Sequence, residues 1–510
     1  MELKTVIFEH PRTASPVHYN DVANAPLSAC LTNGYIASVL EHNGLGVEIY
    51  DAYLAGDSYA QSCKKLCAMD YNILGVHAVF FWEHTSELFS LLTKIRAIKP
   101  ETAIILYGVF PTSAYREILE QYPLIDAVII GEPEETFLEL AEVFRRNQSM
   151  ACDRIAGIAF VKDGKVMVNR ARPLIDPLDR LDFPKRSAAS LASIGGSILG
   201  SRGCHGVCAY CCINPFYGKK SSWRGRSPEN IASEIGAVLP ALKRKYVYFL
   251  DANFFGKGRQ GFARALEISE RIKDFSIEFG LECRCTDIDE AVLPQMVKAG
   301  LRDVFLGIES AAEASVKRMQ KRVPRNRSEQ AVRLLRSLGI EPSPGFIMFE
   351  PGSTLEDIRT NFEFLKHNNL LNRLNNTADV LYHREIVLKG IQNYRRLDAA
   401  GRLKKKDALG YEGFYCFSGP AVQFLADLMS AVCRQVLKAM DSSQSPICWK
   451  KGKTPASMRV NDFVASFFDE VLSRLERQEI ALQADQLCKF EDEALTHIEG
   501  LIVEERVCQA

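Results

Sequence analysis

Apolar residues in the first 150 positions come in short runs separated by stretches with helical spacing. Thr5–Phe8, Val47–Tyr50, Asn72–Phe81, Ala103–Tyr107 and Ala127–Ile130 read as five strands. Leu31–His42 carries apolar residues at helical intervals and runs into Asn43-Gly44, a helix stop. Further helical stretches lie near Tyr59–Ala68, Ser86–Ile98 and Ala114–Gln121, and Glu134–Arg146 closes the series. This alternation predicts a doubly wound parallel sheet covered on both faces. Gly108 and Gly131 follow strands directly. They fall on the carboxyl edge, where open sheets bind ligands. No GxGxxG follows the first strand, which disfavours a dinucleotide site.

Residues 151–190 read as a connector. Ile155–Val161 and Lys165–Asn169, joined at Asp163-Gly164, predict a small hairpin, and Pro173, Pro177 and Pro184 hold the chain extended. A second alternating series fills residues 191–400. Its strands are expected at Ser197–Ser201, Tyr246–Leu250, Ile277–Cys283, Asp303–Ile308 and Gly345–Phe349, with a sixth near Ala378–His383. The helices between them are Phe262–Lys273, Glu290–Ala299, Ser328–Leu338 and Thr354–Lys366. Ser227 and Pro228 have the residue types of an N-cap and first helical position. Six such units predict a partial (β/α)6 barrel, with chemistry at the C-terminal strand ends. Residues 401–510 show helical periodicity, clearest at Ala421–Ala439 and Val460–Ile480, and carry no motif. The fold class expected is therefore α/β: a Rossmann-like sheet, a partial barrel and a helical C-terminal region.

Composition changes this picture little. With 510 residues, 47% of them apolar, the chain is an ordinary multidomain globular protein. Lys plus Arg and Asp plus Glu are each 63, so the basic excess of a nucleic-acid binder is missing. The most apolar run, Ile73 to Trp82, is too short to span a membrane. The first residues do not read as a signal peptide, so a cytoplasmic location is expected. The 15 cysteines then stand in a reducing compartment, as metal ligands or plain thiols.

One cysteine group stands apart. Gly203-Cys204-His205-Gly206-Val207-Cys208-Ala209-Tyr210-Cys211 spaces its cysteines C-x3-C-x2-C just after the first strand of the second series. Three thiolates on one short loop can hold three irons of a 4Fe–4S cluster and leave the fourth iron open to a chelating cosubstrate. Zinc is the competing reading, with Cys212 or His205 as fourth ligand. Adjacent Cys211 and Cys212 are poor simultaneous ligands.

This loop resembles the cluster loop of the radical S-adenosylmethionine enzyme family, including an aromatic residue, Tyr210, before the third cysteine. Further stretches resemble the subclass with an N-terminal cobalamin (vitamin B12)-binding domain. They are Phe216-Tyr217-Gly218, Trp223-Arg224-Gly225-Arg226-Ser227-Pro228-Glu229, Leu306-Gly307-Ile308-Glu309-Ser310 and Gly345-Phe346-Ile347-Met348-Phe349. In the first 150 residues, Pro26-Leu27 through Gly34-Tyr35-Ile36-Ala37 and Gly131-Glu132-Pro133-Glu134-Glu135-Thr136-Phe137 are similar to that cobalamin-binding fold, with Pro133 where the family commonly has Gly.

The resemblance implies a 4Fe–4S cluster on Cys204, Cys208 and Cys211, S-adenosylmethionine on its open iron, and cobalamin on the first domain. It implies Tyr210, Asp251, Asn253, Glu309, Ser310, Phe346 and Ile347 around S-adenosylmethionine, and Trp82, Gly108, Gly131 and Glu132 around cobalamin. Asp251 and Asn253 also suit a plain turn, and Ser310 a helix cap. Cys283 and Cys285 share one strand face, with Arg284 opposite as an outside salt-bridge partner. His77 reads as a satisfied core histidine. The implied activity is reductive cleavage of S-adenosylmethionine to a 5′-deoxyadenosyl radical and methylation of an unactivated carbon. Dehydration, deoxygenation or rearrangement with a cobalamin-free first domain is the alternative, and a non-catalytic iron–sulfur or zinc protein is the reading from another class. The expected partners are a small-molecule or peptide substrate and an electron donor such as flavodoxin or ferredoxin, with neither nucleic acid nor membrane.

Overall fold

The computed structural model describes residues 3–11, 30–78, 85–147, 150–193, 196–218, 222–405 and 407–509. The end of the expected strand Asn72–Phe81, Trp82 and Pro26-Leu27 lie outside them.

The first sheet contains β1 (Lys4–Glu9), β2 (Gly46–Asp51), β3 (Ile73–His77), β4 (Ala103–Tyr107), β5 (Ala127–Ile129), β6 (Ile158–Lys162) and β7 (Lys165–Val168) in the order β2-β1-β3-β4-β5-β6-β7. β1 to β5 are parallel. β3 and β4 are buried at every position, as strands covered on both faces must be. The chain leaves β1 in one direction for β2 and in the other for β3, so the crevice between β1 and β3 is the topological switch point.

The hairpin expected in a separate connector is the far edge of this sheet. β6 runs antiparallel to β5, and Ile158 and Ala159 are fully buried against it. Asp163 and Gly164 take φ of 49° and 72°, the mirror-image turn that matches strand twist in two-residue hairpins. Continuous pairing from β5 to β6 therefore carries the first sheet past position 150.

The second sheet holds β8 (Gly196–Ile198), β11 (Tyr246–Phe249), β12 (Glu278–Arg284), β13 (Leu301–Glu309) and β14 (Ser343–Phe346), all parallel, in the order β14-β13-β12-β11-β8. Between β8 and β11 a short antiparallel pair, β9 (Ser201–Arg202) and β10 (Arg224–Gly225), brackets the cysteine loop. The expected strand Ser197–Ser201 is thus divided between β8 and β9.

The expected sixth strand is a helix, Leu374–Tyr382. Leu374, Ala378 and Leu381 recur at helical spacing and are all buried, a period that the short apolar run conceals. The sixth position is held by a single parallel bridge between Phe349 and Arg384.

Two cores bind the remainder to these sheets. A small sheet of β15 (Val387–Leu388), β16 (Leu403–Lys405) and β17 (Glu412–Tyr415) follows the barrel. Val387, Leu388 and Tyr411 pack into the first domain's core, where Tyr411 meets Phe110 at a ring separation of 4.7 Å. The helices Pro420–Asp441, Pro455–Glu476 and Ala484–Gln509 share one continuous apolar core with the barrel. Among the described residues, no helix is long and apolar enough to cross a membrane.

Candidate functional site

The cysteine loop is shaped by two glycines. Gly203 has φ of 79°, and a Cβ there would stand 2.4 Å from the Ser222 carbonyl. A side chain would prevent the loop from turning out of β9. A Cβ on Gly206 would lie 3.5 and 3.6 Å from the Cys204 and Cys208 sulfurs. The sulfurs thus flank a bare backbone, whose Gly206 amide also donates to Cys204 Sγ at 3.3 Å. The far side of the loop is clamped: Ala209 N–H donates to the Met319 carbonyl, and the Ala209 carbonyl accepts from Asn393 N–H.

The donor set fits a multi-iron cluster better than one ion. Among the described residues, the metal-type side chains converging within 4.8 Å are Glu9, Cys30 and His77, not the three cysteines of the loop. A tetrahedral zinc would draw its ligands that close. Cys212 packs against the first domain's apolar core, and His205 is turned toward Asn253 and Asp287.

Two cations stand over the loop. The Arg284 guanidinium would lie 2.7 Å from a Cβ on Gly206 and donates to the Lys321 carbonyl at 2.6 Å. Cys283 and Cys285 belong to the outer core against the helices, so Arg284 faces the barrel interior. Sequence parity gave the opposition of Cys283 and Arg284 but assigned Arg284 to the wrong face, and Cys285, expected on the same strand, instead opens the 3-10 turn Cys285–Asp287 after β12 ends. Lys321, 4% exposed, pairs with Glu309 at 2.9 Å and lies 3.5 Å from the Tyr210 hydroxyl. Burial works against its ammonium, but Glu309 and Cys208 outweigh that and raise its pKa. Burial pushes the Cys204 and Cys211 thiols up. Positive charge nearby lowers the cost of ionising such thiols.

Glu309 has a φ of 69°, at a register shift between β13 and β14. A non-glycine residue in this region costs about 1–3 kcal/mol and persists only where its surroundings hold it. Here its carbonyl accepts from Ile347 N–H at 2.8 Å while its carboxylate reaches Lys321. Beside it Arg284 pairs with Gly307, and Gly307 with Gly345, across three neighbouring strands, and the space over these glycines is filled by Lys321 and Glu309 at Gly307 and by the Phe305 ring at Gly345. Glycine at these positions lets those neighbouring side chains approach the backbone closely. Glu282 lies on the same inward parity, and its carboxyl is pushed up to about 8 by burial and by Asp251, against a hydrogen bond from Tyr248.

Other expected site residues are occupied by the scaffold. Asp251 is fully buried, accepts from Ser201 N–H at 2.9 Å and is raised to about 6 by burial. The Asn253 side chain donates to Asp287 at 2.6 Å and accepts from Gly256 N–H at 2.8 Å. Ser310 donates to Asn361 Oδ1 and accepts from Ala312 N–H, which is the turn-capping arrangement. Phe346 stacks on Phe364 of the helix Leu355–His367, outside the barrel, because its side chain is needed in the outer core. Ile347 is buried, with its amide on Glu309. Lys321, Glu282 and the inward side of Arg284 were missed: no motif spacing marks Lys321, and strand parity alone does not say which face is inner.

On the first sheet, Gly108 has φ of 120°, and a Cβ there would meet the Ala78 carbonyl at 2.4 Å. Gly131 approaches the Phe216 carbonyl of the cysteine-loop segment. Glu132, expected beside a corrin, is the hub that joins β9 and β10 to the first sheet. It accepts from Arg202 at 2.9 Å, Arg224 at 3.0 Å and Ile175 N–H at 2.9 Å, and these partners hold its pKa low against the opposing effect of burial. Glu134 completes the junction with Arg202 at 2.5 Å.

Residues 198–365 match the family model of the Radical SAM superfamily. An uncharacterized methyltransferase of Pyrococcus horikoshii is 27% identical over 345 residues, 65% of this chain and 72% of that protein. An anaerobic magnesium-protoporphyrin IX monomethyl ester cyclase of Rubrivivax gelatinosus is 26% identical over 351 residues, 65% of this chain and 61% of that protein. The fold is similar to that of the cobalamin-dependent S-adenosylmethionine radical enzyme OxsB, solved with aqua-cobalamin and S-adenosylmethionine bound. The TM-score is 0.79 at 18% identity, over 99% of this chain and 80% of that one.

Proposed function

We propose, from the premise that this chain belongs to the radical S-adenosylmethionine superfamily, in the subclass with a cobalamin-type first domain, that it methylates an unactivated carbon of a small-molecule substrate. The observation that carries this reading is the three-cysteine loop at a strand's carboxyl end, faced by Arg284, Lys321 and Glu309. Cys204, Cys208 and Cys211 would hold a 4Fe–4S cluster, which when bound supplies the electron that breaks a sulfonium C–S bond of S-adenosylmethionine. Gly206 lets the Arg284 guanidinium approach beside two of the sulfurs. Arg284 and Lys321 balance the thiolate charge. Gly307 admits the Lys321–Glu309 pair against the strand, and Glu309, fixed in its uncommon backbone conformation, presents a carboxylate at the strand end. The carboxyl edge of the first sheet would hold cobalamin, which supplies the transferable methyl group.

A second reading, dehydration, deoxygenation or rearrangement without cobalamin, is favoured by one observation. Glu132, expected at the corrin, is committed to Arg202 and Arg224. One measurement separates the two. The protein is prepared anaerobically, its cluster reconstituted and a reductant added, and the products of S-adenosylmethionine are read by mass spectrometry with and without cobalamin. Methyl transfer predicts cobalamin-dependent formation of both 5′-deoxyadenosine and S-adenosylhomocysteine. 5′-Deoxyadenosine alone, indifferent to cobalamin, selects the second reading. Neither product, with metal content unchanged in Cys204→Ala, overturns both.

A further inference from the structure

A second constellation of metal-type ligands lies on the first sheet, away from the cysteine loop. The last residues of β1, β3 and β4 are neighbours in register: Glu9 beside His77, and His77 beside Tyr107. Cys30, at the N-terminus of the helix Leu31–His42, comes down onto this row. His77 Nδ1 is 2.7 Å from Glu9 Oε2 and 3.2 Å from Cys30 Sγ. The ligand atoms of all three lie within 4.8 Å of one another.

We propose that Glu9, Cys30 and His77 form a binding site for a divalent cation of the zinc class. One thiolate, one imidazole and one carboxylate are the donors that such a borderline-soft ion takes, and three protein ligands leave a fourth position for water or a ligand group. Supporting groups hold the ligands in place. Asn33 donates to Glu9 Oε2 at 2.9 Å, Tyr107 donates to Asn33 Oδ1 at 2.7 Å, and the Tyr107 ring lies 5.5 Å from that of His77. Outer partners of this kind orient metal ligands and fix their protonation. Position agrees with the chemistry, because the row ends at the crevice between β1 and β3. Burial sets the size of the ligand: Glu9 is 1%, His77 3% and Cys30 9% exposed, which suits an ion and excludes a corrin ring from these side chains.

The test uses the full chain with its cluster reconstituted, dialysed against zinc and then against zinc-free buffer. Retained zinc is counted by mass spectrometry. About one zinc per chain is expected, kept in the Cys204→Ala, Cys208→Ala, Cys211→Ala triple variant and lost in Cys30→Ser and His77→Ala. Asn33→Ala is expected to weaken zinc by about ten- to a hundredfold. Zinc kept by Cys30→Ser but lost from the triple variant would put the ion on the cysteine loop and overturn the proposal, as would no retained zinc. X-ray absorption at the zinc edge of the unmutated protein gives a reading independent of whether variants fold. One sulfur at about 2.3 Å with nitrogen and oxygen neighbours supports the site, and two or more sulfurs refute it. The site is independent of the proposed methyl transfer, since the triple variant abolishes that reaction and should leave this zinc in place.

Discussion

Arg284 shows how much a single side chain depends on which face of a strand is inward. Its guanidinium lies above Gly206 and is tied to the Lys321 carbonyl. Losing a hydrogen bond from a charged group costs about 1.5–3 kcal/mol, roughly ten- to a hundredfold in rate if it acts at the reacting centre. Arg284→Met should therefore slow 5′-deoxyadenosine formation by that factor while iron content stays constant. A fall in iron instead would make Arg284 a holder of the loop. Glu385 is a second case. It is 2% exposed, accepts from Asn393 at 2.6 Å and is pushed up to about 8, chiefly by burial and then by Glu350. Below its ordinary value near 4.5 both folded and unfolded chains hold the proton, and pH has no leverage. Between there and about 8 only the unfolded chain ionises, so stability falls as pH rises, by at most about 1.4 kcal/mol per pH unit. Glu385→Gln should flatten that decline. Melting temperatures of both proteins at pH 5 and pH 8 check it, and an identical pH response would remove Glu385 from the explanation.

Among elements, the junction of β9 and β10 with the first sheet carries the largest electrostatic stake. β9 and β10 bring Arg202 and Arg224 against Glu132, just after β5, and Arg202 and Glu132 are each 6% exposed in their side chains. Removing one partner of a buried ion pair leaves an uncompensated charge and costs about 3–5 kcal/mol. Glu132→Ala should lower the urea midpoint by a corresponding amount. Pairing it with Arg224→Met should recover part of the loss, because Arg202 keeps Glu134 as its partner and no buried charge is then left alone. The same junction explains why β9, β10 and the cysteine loop share a fixed position, although the paired β9 and β10 are only two residues each.

For the whole molecule, the apolar core runs without a break from the barrel strands into the C-terminal helices. Leu306 and Phe349 belong to the same core as Val432, Phe468 and Ile498. Arg359 of the helix Leu355–His367 also reaches Asp469 at 2.5 Å and Glu476 at 2.8 Å on the helix Pro455–Glu476. Truncation after residue 419 would expose this face at a scale no surface tolerates. The shortened chain is expected to be insoluble or to lose cooperative thermal unfolding, which far-UV circular dichroism checks. A truncated barrel that still melts cooperatively would show the helices to be dispensable.

Local chemistry determined a good deal by itself. Five strands of the first sheet, the Asp163-Gly164 turn and the Ser227-Pro228 helix start depend on neighbours within a few positions, and pattern reveals them. The C-x3-C-x2-C loop is likewise contiguous, so its chemistry was legible before any fold was known. Contacts between distant segments decided the rest. Leu374–Tyr382 is helical because its buried face meets the helices Pro420–Asp441 and Pro455–Glu476, and the hairpin joins the first sheet because β5 offers it a free edge. Lys321 reaches the cysteines, Glu132 becomes a hub, and Glu9, Cys30 and His77 meet only when separate strands and a helix pack together. Spacing along a chain records which residues share an element. Which elements face one another is settled by burial and charge pairing across the folded molecule.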